Sequence, residues 1–253
     1  MSPHYSEIIA GRLPVLSCLK AKRRRPDCLY VYGRSKEINE IVACAKNVTV
    51  QYTDRKHLDT LSFGVKNQGV VLRAAPLPVF TVEDWVHRHK NEKNQALVVL
   101  DGIEDPQNFG AIVRSAAACG ASGVLFSKDR SSPITTAAMK AAAGGMEHVD
   151  LIQATNLVRA LAHIKEQGFW ITALDADAKM KLWEVGLTGR VALIIGSEGA
   201  GIRRLVCEHA DFTVSIPLVG AVSSLNASVS AGIVLAEWIR QTRGSEWKSA
   251  KHL

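Results

Sequence analysis

From residue 95 onward the sequence alternates short, uninterrupted apolar runs with stretches of helical periodicity, and this alternation narrows the fold more than any other feature. The runs lie at 97–100, 123–126, 149–152, 169–173, 191–195 and 212–215. Helix-like segments at 110–119, 135–143, 156–166 and 202–207 separate several of them. A strand with one face in water alternates apolar and polar residues, whereas one that is apolar throughout is covered on both faces. The expected fold class is therefore α/β: an open parallel sheet with helices on each side, with ligands bound at the carboxyl ends of the strands.

A smaller α/β unit precedes it. Helical pattern at 6–20, 36–45 and 54–61 alternates with strand pattern at 28–32, 48–52 and 69–73. Ala74-Ala75-Pro76-Leu77-Pro78 continues neither element, because proline removes a backbone donor and pushes its predecessor to extended geometry. The expected organisation is a first domain over 1–75, a linker over 76–95 carrying a helix at 81–93, a second domain over 96–243, and a tail over 244–253.

With 47% hydrophobic and 22% charged residues in 253, the chain has the apolar content for packed cores, which excludes a disordered or fibrous protein. Its apolar stretches fall short of the roughly 18 residues of a membrane span, and the N-terminus lacks the features of a targeting peptide. A cytoplasmic protein with no membrane partner is expected. The five cysteines show no CxxC pair and an odd total, and His87-x-His89 has no Cys or carboxylate cluster at ligand spacing. No metal site is expected.

Charge is unevenly divided. Residues 1–90 carry 15 Lys or Arg against 8 Asp or Glu, and residues 91–253 carry 16 against 16, so the first segment holds the whole net charge of +7. Lys20, Lys22, Arg23, Arg24 and Arg25 concentrate five positive side chains in six residues. Such a cluster suits a nucleic-acid backbone and is the expected nucleic-acid-binding surface; its alternative is a solvated helix end.

Three polar loops follow strands of the second domain. The first runs from Asp101 through Asn108 to Gly110, which is expected to open a helix, with Arg114 one turn further on. Arg114 beside Asn108 could fork a phosphate or carboxylate, or serve as a helix-edge ion pair. The second, Gly196-Ser197-Glu198-Gly199-Ala200-Gly201, fits neither the dinucleotide fingerprint nor a P-loop, and alone reads as a structural turn. The third, from Ile216 to Ser228, carries Leu218, Ser223, Ser224, Leu225 and Asn226, more polar groups than one helix cap needs.

In this order the loops resemble the three motifs of the SpoU (TrmH) family of RNA ribose 2′-O-methyltransferases. Asn108-x-Gly110-x-x-x-Arg114 is similar to the first motif and Gly196-x-Glu198-Gly199-x-Gly201 to the second. Ile216-Pro217 with Ser223-Ser224-Leu225-Asn226-x-Ser228 is similar to the third. The first domain resembles the ribosomal-protein-L30e-like RNA-binding module of the family's branch that methylates guanosine in 23S rRNA, including Asn67-Gln68-Gly69-Val70, where that branch commonly has His at the position of Asn67. The resemblance covers the chain from about Tyr5 to Arg243.

It implies a parallel sheet whose C-terminal segment threads a loop to form a deep trefoil knot, a feature that periodicity does not contain and that general topology rules disfavour. It also implies an obligate homodimer with sites at the subunit interface, S-adenosylmethionine as cofactor, and no metal. Gly196, Ile216, Leu218, Ser224 and Leu225 would line the cofactor pocket. Arg114 would be the catalytic arginine, with Asn108, Glu198, Ser224 and Asn226 around it. A guanidinium rarely gives up its proton, so Arg114 is expected to act electrostatically, on a phosphate or a developing alkoxide; the proton acceptor stays open. The rival readings are a tRNA methyltransferase of the same family and a non-enzymatic RNA-binding protein on the same scaffold.

Overall fold

The computed structural model describes residues 6–129, 131–132 and 134–249. Its first sheet holds β1 (Glu7–Ala10), β2 (Pro26–Val31), β3 (Thr49–Tyr52) and β4 (Val70–Ala74) in the order β1-β4-β2-β3. Strands β2 and β3 are parallel; β4 runs antiparallel to both β1 and β2. Helices α1 (Arg12–Ala21), α2 (Lys36–Cys44) and α3 (Arg55–Leu61) connect them. The helix expected over 6–20 is thus a strand followed by a helix. Gly11 separates the two at φ 103°, a conformation that L side chains rarely adopt.

The second sheet is parallel throughout. Its strands are β5 (Val79–Phe80), β6 (Gln95–Asp101), β7 (Gly123–Ser127), β8 (Asp150–Ala154), β9 (Trp170–Leu174), β10 (Met180–Lys181), β11 (Arg190–Gly196) and β12 (Phe212–Ser215). They lie in the order β10-β12-β9-β11-β6-β7-β8-β5. The parallel α/β sheet read from the apolar runs is borne out, and β6 is buried at all seven positions. The sequence does not announce the two-residue edge strands β5 and β10. Because β5 pairs with β8, part of the segment read as a linker belongs to this sheet.

Helices α4 (Val82–His89), α5 (Pro106–Cys119), α6 (Thr136–Ala141), α7 (Leu157–Glu166), α8 (Arg204–Cys207) and α9 (Ala227–Ser249) complete the unit. The expected tail begins inside α9, and residues 250–253 lie outside the described residues. Helix α5 starts four residues before Gly110. Asp105 caps it by accepting from the backbone N–H groups of Gln107 and Asn108, and Pro106 takes the first turn, where its missing N–H costs nothing. Gly110 therefore lies inside the helix, and its role is contact: a Cβ there would stand 2.4 Å from the Ala138 carbonyl oxygen and 2.5 Å from the Ala141 Cβ.

The two units share apolar packing. One cluster runs from Ile9, Val15 and Leu29 through Met139 and Met146 to Phe109 and Ile112. A buried ion-pair network reinforces the junction. Arg24, only 7% exposed, donates to Glu147 at 2.6 and 2.9 Å and to Glu7 at 2.5 Å. Arg23 donates to the Val149 carbonyl at 2.8 Å and to Asp150 at 2.5 Å. This corrects the expected RNA-binding cluster: the guanidiniums of Arg24 and Arg23 are committed to carboxylates of the second unit, and Arg24 is sealed from any RNA in solution. Lys20, Lys22 and Arg25 remain exposed.

Candidate active site

The carboxyl ends of β9, β11 and β12 surround a cavity of about 770 Å³, within the roughly 300–1,000 Å³ range of small-molecule sites. Its walls come from three segments: 174–177 after β9, 195–202 around the glycine turn, and 214–230 leading into α9.

The glycine turn is closed by a reciprocal backbone pair, Ser197 N–H to the Gly201 carbonyl at 3.1 Å and Gly201 N–H to the Ser197 carbonyl at 3.0 Å. Gly199 and Gly201 adopt φ 84° and 65°, as so tight a reversal requires. Gly196 has a different constraint. A Cβ there would fall 2.4 Å from the Gly201 carbonyl carbon and 2.5 Å from the Ile202 nitrogen, so the returning chain occupies the space of a side chain. Beyond the turn, the Arg203 backbone N–H and guanidinium both donate to Asp101, at 2.8 and 2.7 Å. The Asp101 side chain is fully buried, and it ties the end of β6 to the chain leaving the glycine turn. The sequence reading gave Asp101 no role, although a carboxylate closing a wholly apolar strand is the signal that marks it.

Glu198 projects from this turn and gathers the start of α5 and the residue that precedes α9. Its Oε1 accepts from Asn108 Nδ2 at 2.9 Å and from Asn226 Nδ2, and Asn226 Nδ2 also donates to Asn108 Oδ1 at 2.9 Å. Asn226 can serve both neighbours because its amide is divided by function. Oδ1 caps the start of α9, accepting from the Ser228 and Val229 backbone N–H groups at 2.9 and 3.3 Å, while Nδ2 faces Glu198. The first turn of α5, the glycine turn and the residue before α9 are thereby locked together, with Glu198 Oε2 making no hydrogen bond among the described residues.

Gly196, Ile216, Leu218, Ser224 and Leu225 line the cavity together with Glu198 and Asn226. Asp175 and Asp177, which sequence reasoning did not single out, line it too; only their position after a parallel strand hinted at this. Arg114 is not brought to this cluster. It lies six residues along α5 from Asn108, about 9 Å of helix rise. Its side chain is exposed and makes no ion pair or hydrogen bond among the described residues.

The lining fits S-adenosylmethionine. Ile195, Ile202, Ile216, Leu218 and Leu225 offer apolar surface for a purine, the glycine turn offers backbone groups at close approach, and Asp175, Asp177 and Glu198 supply negative charge suited to a cationic ligand. Among the described residues no group of His, Cys, Asp or Glu could hold a metal ion.

Comparison with known proteins agrees with this geometry. Residues 95–236 match the model of the SpoU rRNA Methylase family, and residues 8–80 match that of the RNA 2′-O ribose methyltransferase substrate-binding domain. The chain is 38% identical over 240 residues to the 23S rRNA (guanosine-2′-O-)-methyltransferase RlmB of Escherichia coli, covering 93% of this chain and 99% of the relative. A crystal structure of an RNA 2′-O ribose methyltransferase superposes with a TM-score of 0.79 at 26% identity, over 94% of this chain and 89% of the other. The fold is also that of the SpoU methyltransferase AviRb from Streptomyces viridochromogenes, solved in complex with AdoMet, at a TM-score of 0.79, 21% identity and coverage of 95% and 91%. With more than half of the chain matched by the methylase model and a relative of this identity aligned almost end to end, the chain belongs to the SpoU rRNA methylase family.

Proposed function

We propose that the protein methylates the 2′-oxygen of a guanosine ribose in 23S rRNA, with S-adenosylmethionine as methyl donor. The observation that carries this reading is the locked contact of Asn108, Glu198 and Asn226 at the rim of a cavity whose lining fits that cofactor. When bound, the cofactor supplies an electrophilic methyl group on a positively charged sulfur. The chain's own residues do the rest. Ile216, Leu218 and Leu225 exclude water from the apolar part of the pocket, and the turn from Gly196 to Gly201 fixes its floor. Glu198, held by two amides at Oε1, offers Oε2 as an acceptor that can orient a ribose hydroxyl.

Arg114 enters this reading from a second copy of the chain. On its own chain it lies about 9 Å of helix rise beyond Asn108, with its side chain exposed and in no ion pair among the described residues, and the family resemblance implies a dimer with composite sites. Its planar guanidinium would stabilise the charge developing on the 2′-oxygen or hold the adjoining phosphate. The threaded C-terminal segment, and a cytoplasmic location where ribosomes are assembled, belong to the same reading. Specificity for 23S rRNA rests on alignment of both units, and not the methylase unit alone, with a relative named for that substrate.

Methyl-labelled S-adenosylmethionine incubated with the protein and separate pools of 23S rRNA and tRNA tests the reading. Label at an alkali-resistant guanosine linkage in 23S rRNA is expected. Label confined to tRNA would move the protein to the tRNA branch, and none in either pool would overturn the enzymatic reading.

A further inference from the structure

The net positive charge of the first unit has two exposed outlets at opposite ends of its sheet. One comprises Lys20, Lys22 and Arg25, in the last turn of α1 and between it and β2. The other follows from strand directions. Tyr32 and Tyr52 follow or end the parallel strands β2 and β3, and β4, antiparallel to β2, begins just after Gln68 and Gly69. Strand β1, antiparallel to β4, ends at Ala10 beside Arg12. Ten helical residues, about 15 Å, separate this end from the Lys20 end.

Here the second unit reaches across. Lys140 on α6 donates through Nζ to Gln68 Oε1 at 2.6 Å and lies directly over Gly11. Gln68 also joins Arg12, whose Nε donates to the Gln68 carbonyl at 3.2 Å. Lys66, exposed, lies two residues before Gln68, the residue that Lys140 reaches from the second unit. Partial burial, and then the charge of Lys66, hold the Lys140 ammonium below the ordinary lysine value. The carboxylate in this group is Glu37, which sits 3.4 Å from Arg12. Neither lysine has an acidic partner among the described residues. A partly desolvated ammonium with a second lysine on the loop it contacts carries an electrostatic cost that a bound anion would relieve. Tyr32 and Tyr52, 46% and 64% exposed, stand at the same end, and Tyr32 is tied to the loop by its N–H to the Gly69 carbonyl at 2.9 Å. Exposed aromatic rings beside clustered cations suit single-stranded RNA, whose backbone takes the charges and whose bases stack.

We propose that the seam between the two units is an RNA-binding site in which Lys66 and Lys140 hold a backbone phosphate of the substrate strand, with Tyr32 and Tyr52 as stacking surfaces beside it. The proposal rests on the RNA-methyltransferase reading and adds to it the place where the strand crosses between units. Because one lysine comes from each unit, a strand held here is fixed relative to the methylase sheet as well as to the substrate-binding sheet.

Binding of a 23S rRNA transcript to the full-length protein, measured across a potassium chloride series, tests it with Lys66→Ala, Lys140→Met and Tyr32→Ala. Each lysine change is expected to weaken binding and to reduce the slope of log K against log salt by about one. Tyr32→Ala is expected to weaken binding with the slope unchanged. Lys66 is exposed on a loop, so Lys66→Ala decides the matter even if Lys140→Met folds poorly. An unchanged affinity and slope in Lys66→Ala would overturn the proposal, as would a slope change produced only by replacing Lys20, Lys22 and Arg25. S-adenosylmethionine affinity, measured in parallel by calorimetry, keeps the two readings apart: its absence in the parent protein sinks the methyltransferase reading, while the salt slope still judges the seam.

Discussion

Replacing Gly196 by alanine adds a single methyl group, and the structure says where it must go. The new Cβ would lie 2.4–2.6 Å from the carbonyl carbon and oxygen of Gly201 and the nitrogen of Ile202, all backbone atoms that no rotamer change can move. Relief requires the returning strand of the turn to swing away, which breaks the two Ser197–Gly201 backbone hydrogen bonds. At about 0.5–1.5 kcal/mol each, their loss amounts to about 1–3 kcal/mol. Cofactor binding must restore the turn against that cost. At about 1.4 kcal/mol per tenfold, calorimetry should show S-adenosylmethionine affinity reduced about 5- to 150-fold. The disturbance is local, so affinity for RNA should stay within about twofold. Gly199→Ala is the internal comparison, since its added methyl meets nothing within 4 Å and carries only the strain of φ 84°; its effect should be smaller. Parental cofactor affinity in Gly196→Ala would refute the claim that this turn forms the wall of the cofactor site.

Arg114→Ala should lower kcat and kcat/KM together by about 100- to 1,000-fold in steady-state assays, with cofactor affinity near parental and poor rescue by lysine. Mixed dimers of Arg114→Ala and Glu198→Ala subunits should regain activity if the two residues serve one site from different chains. Arg24→Ala leaves Glu147 buried and without its partner, and chemical denaturation should show about 3–5 kcal/mol lost; Arg24→Met with Glu147→Leu should recover much of it. Burial, with Glu147 nearby, pushes the Cys18 thiol up to about 11, so at pH 8 an alkylating reagent should modify exposed Cys44 and spare Cys18 until the protein unfolds. Since the folded state disfavours the Cys18 thiolate, its contribution to stability is complete below the ordinary thiol range and should fall as pH rises toward 11.

The parts of the fold legible in the sequence are those in which one residue type reports burial on both faces. The apolar runs from Leu97 and Val191 could be little else than inner strands of a covered sheet. Edge strands such as Met180–Lys181 are exposed and two residues long, so they leave no periodic trace. Ile8 and Ile9 were absorbed into a helical pattern because a four-residue strand is shorter than one period of evidence, and only Gly11 marked the break. At the site, residue types and loop order indicated Asn108, Glu198 and Asn226, but their mutual hydrogen bonds depend on strand order and could not be read from spacing. The basic run at 20–25 misled for a physical reason. Charge density along a chain says nothing about burial, and the two arginines at its centre meet acids more than 120 residues away. The lysines that form the seam, Lys66 and Lys140, lie far apart in sequence and belong to no run.

Ribose methylation mapped in rRNA and tRNA from a strain that lacks the protein decides whether it places a methyl group on the ribose of a guanosine in 23S rRNA. One 23S rRNA guanosine is expected to lose its 2′-O-methyl group, the wild-type protein to restore it, and the Glu198→Ala variant to fail to do so. A complete rRNA methylation pattern alongside a missing tRNA ribose methyl group would contradict it.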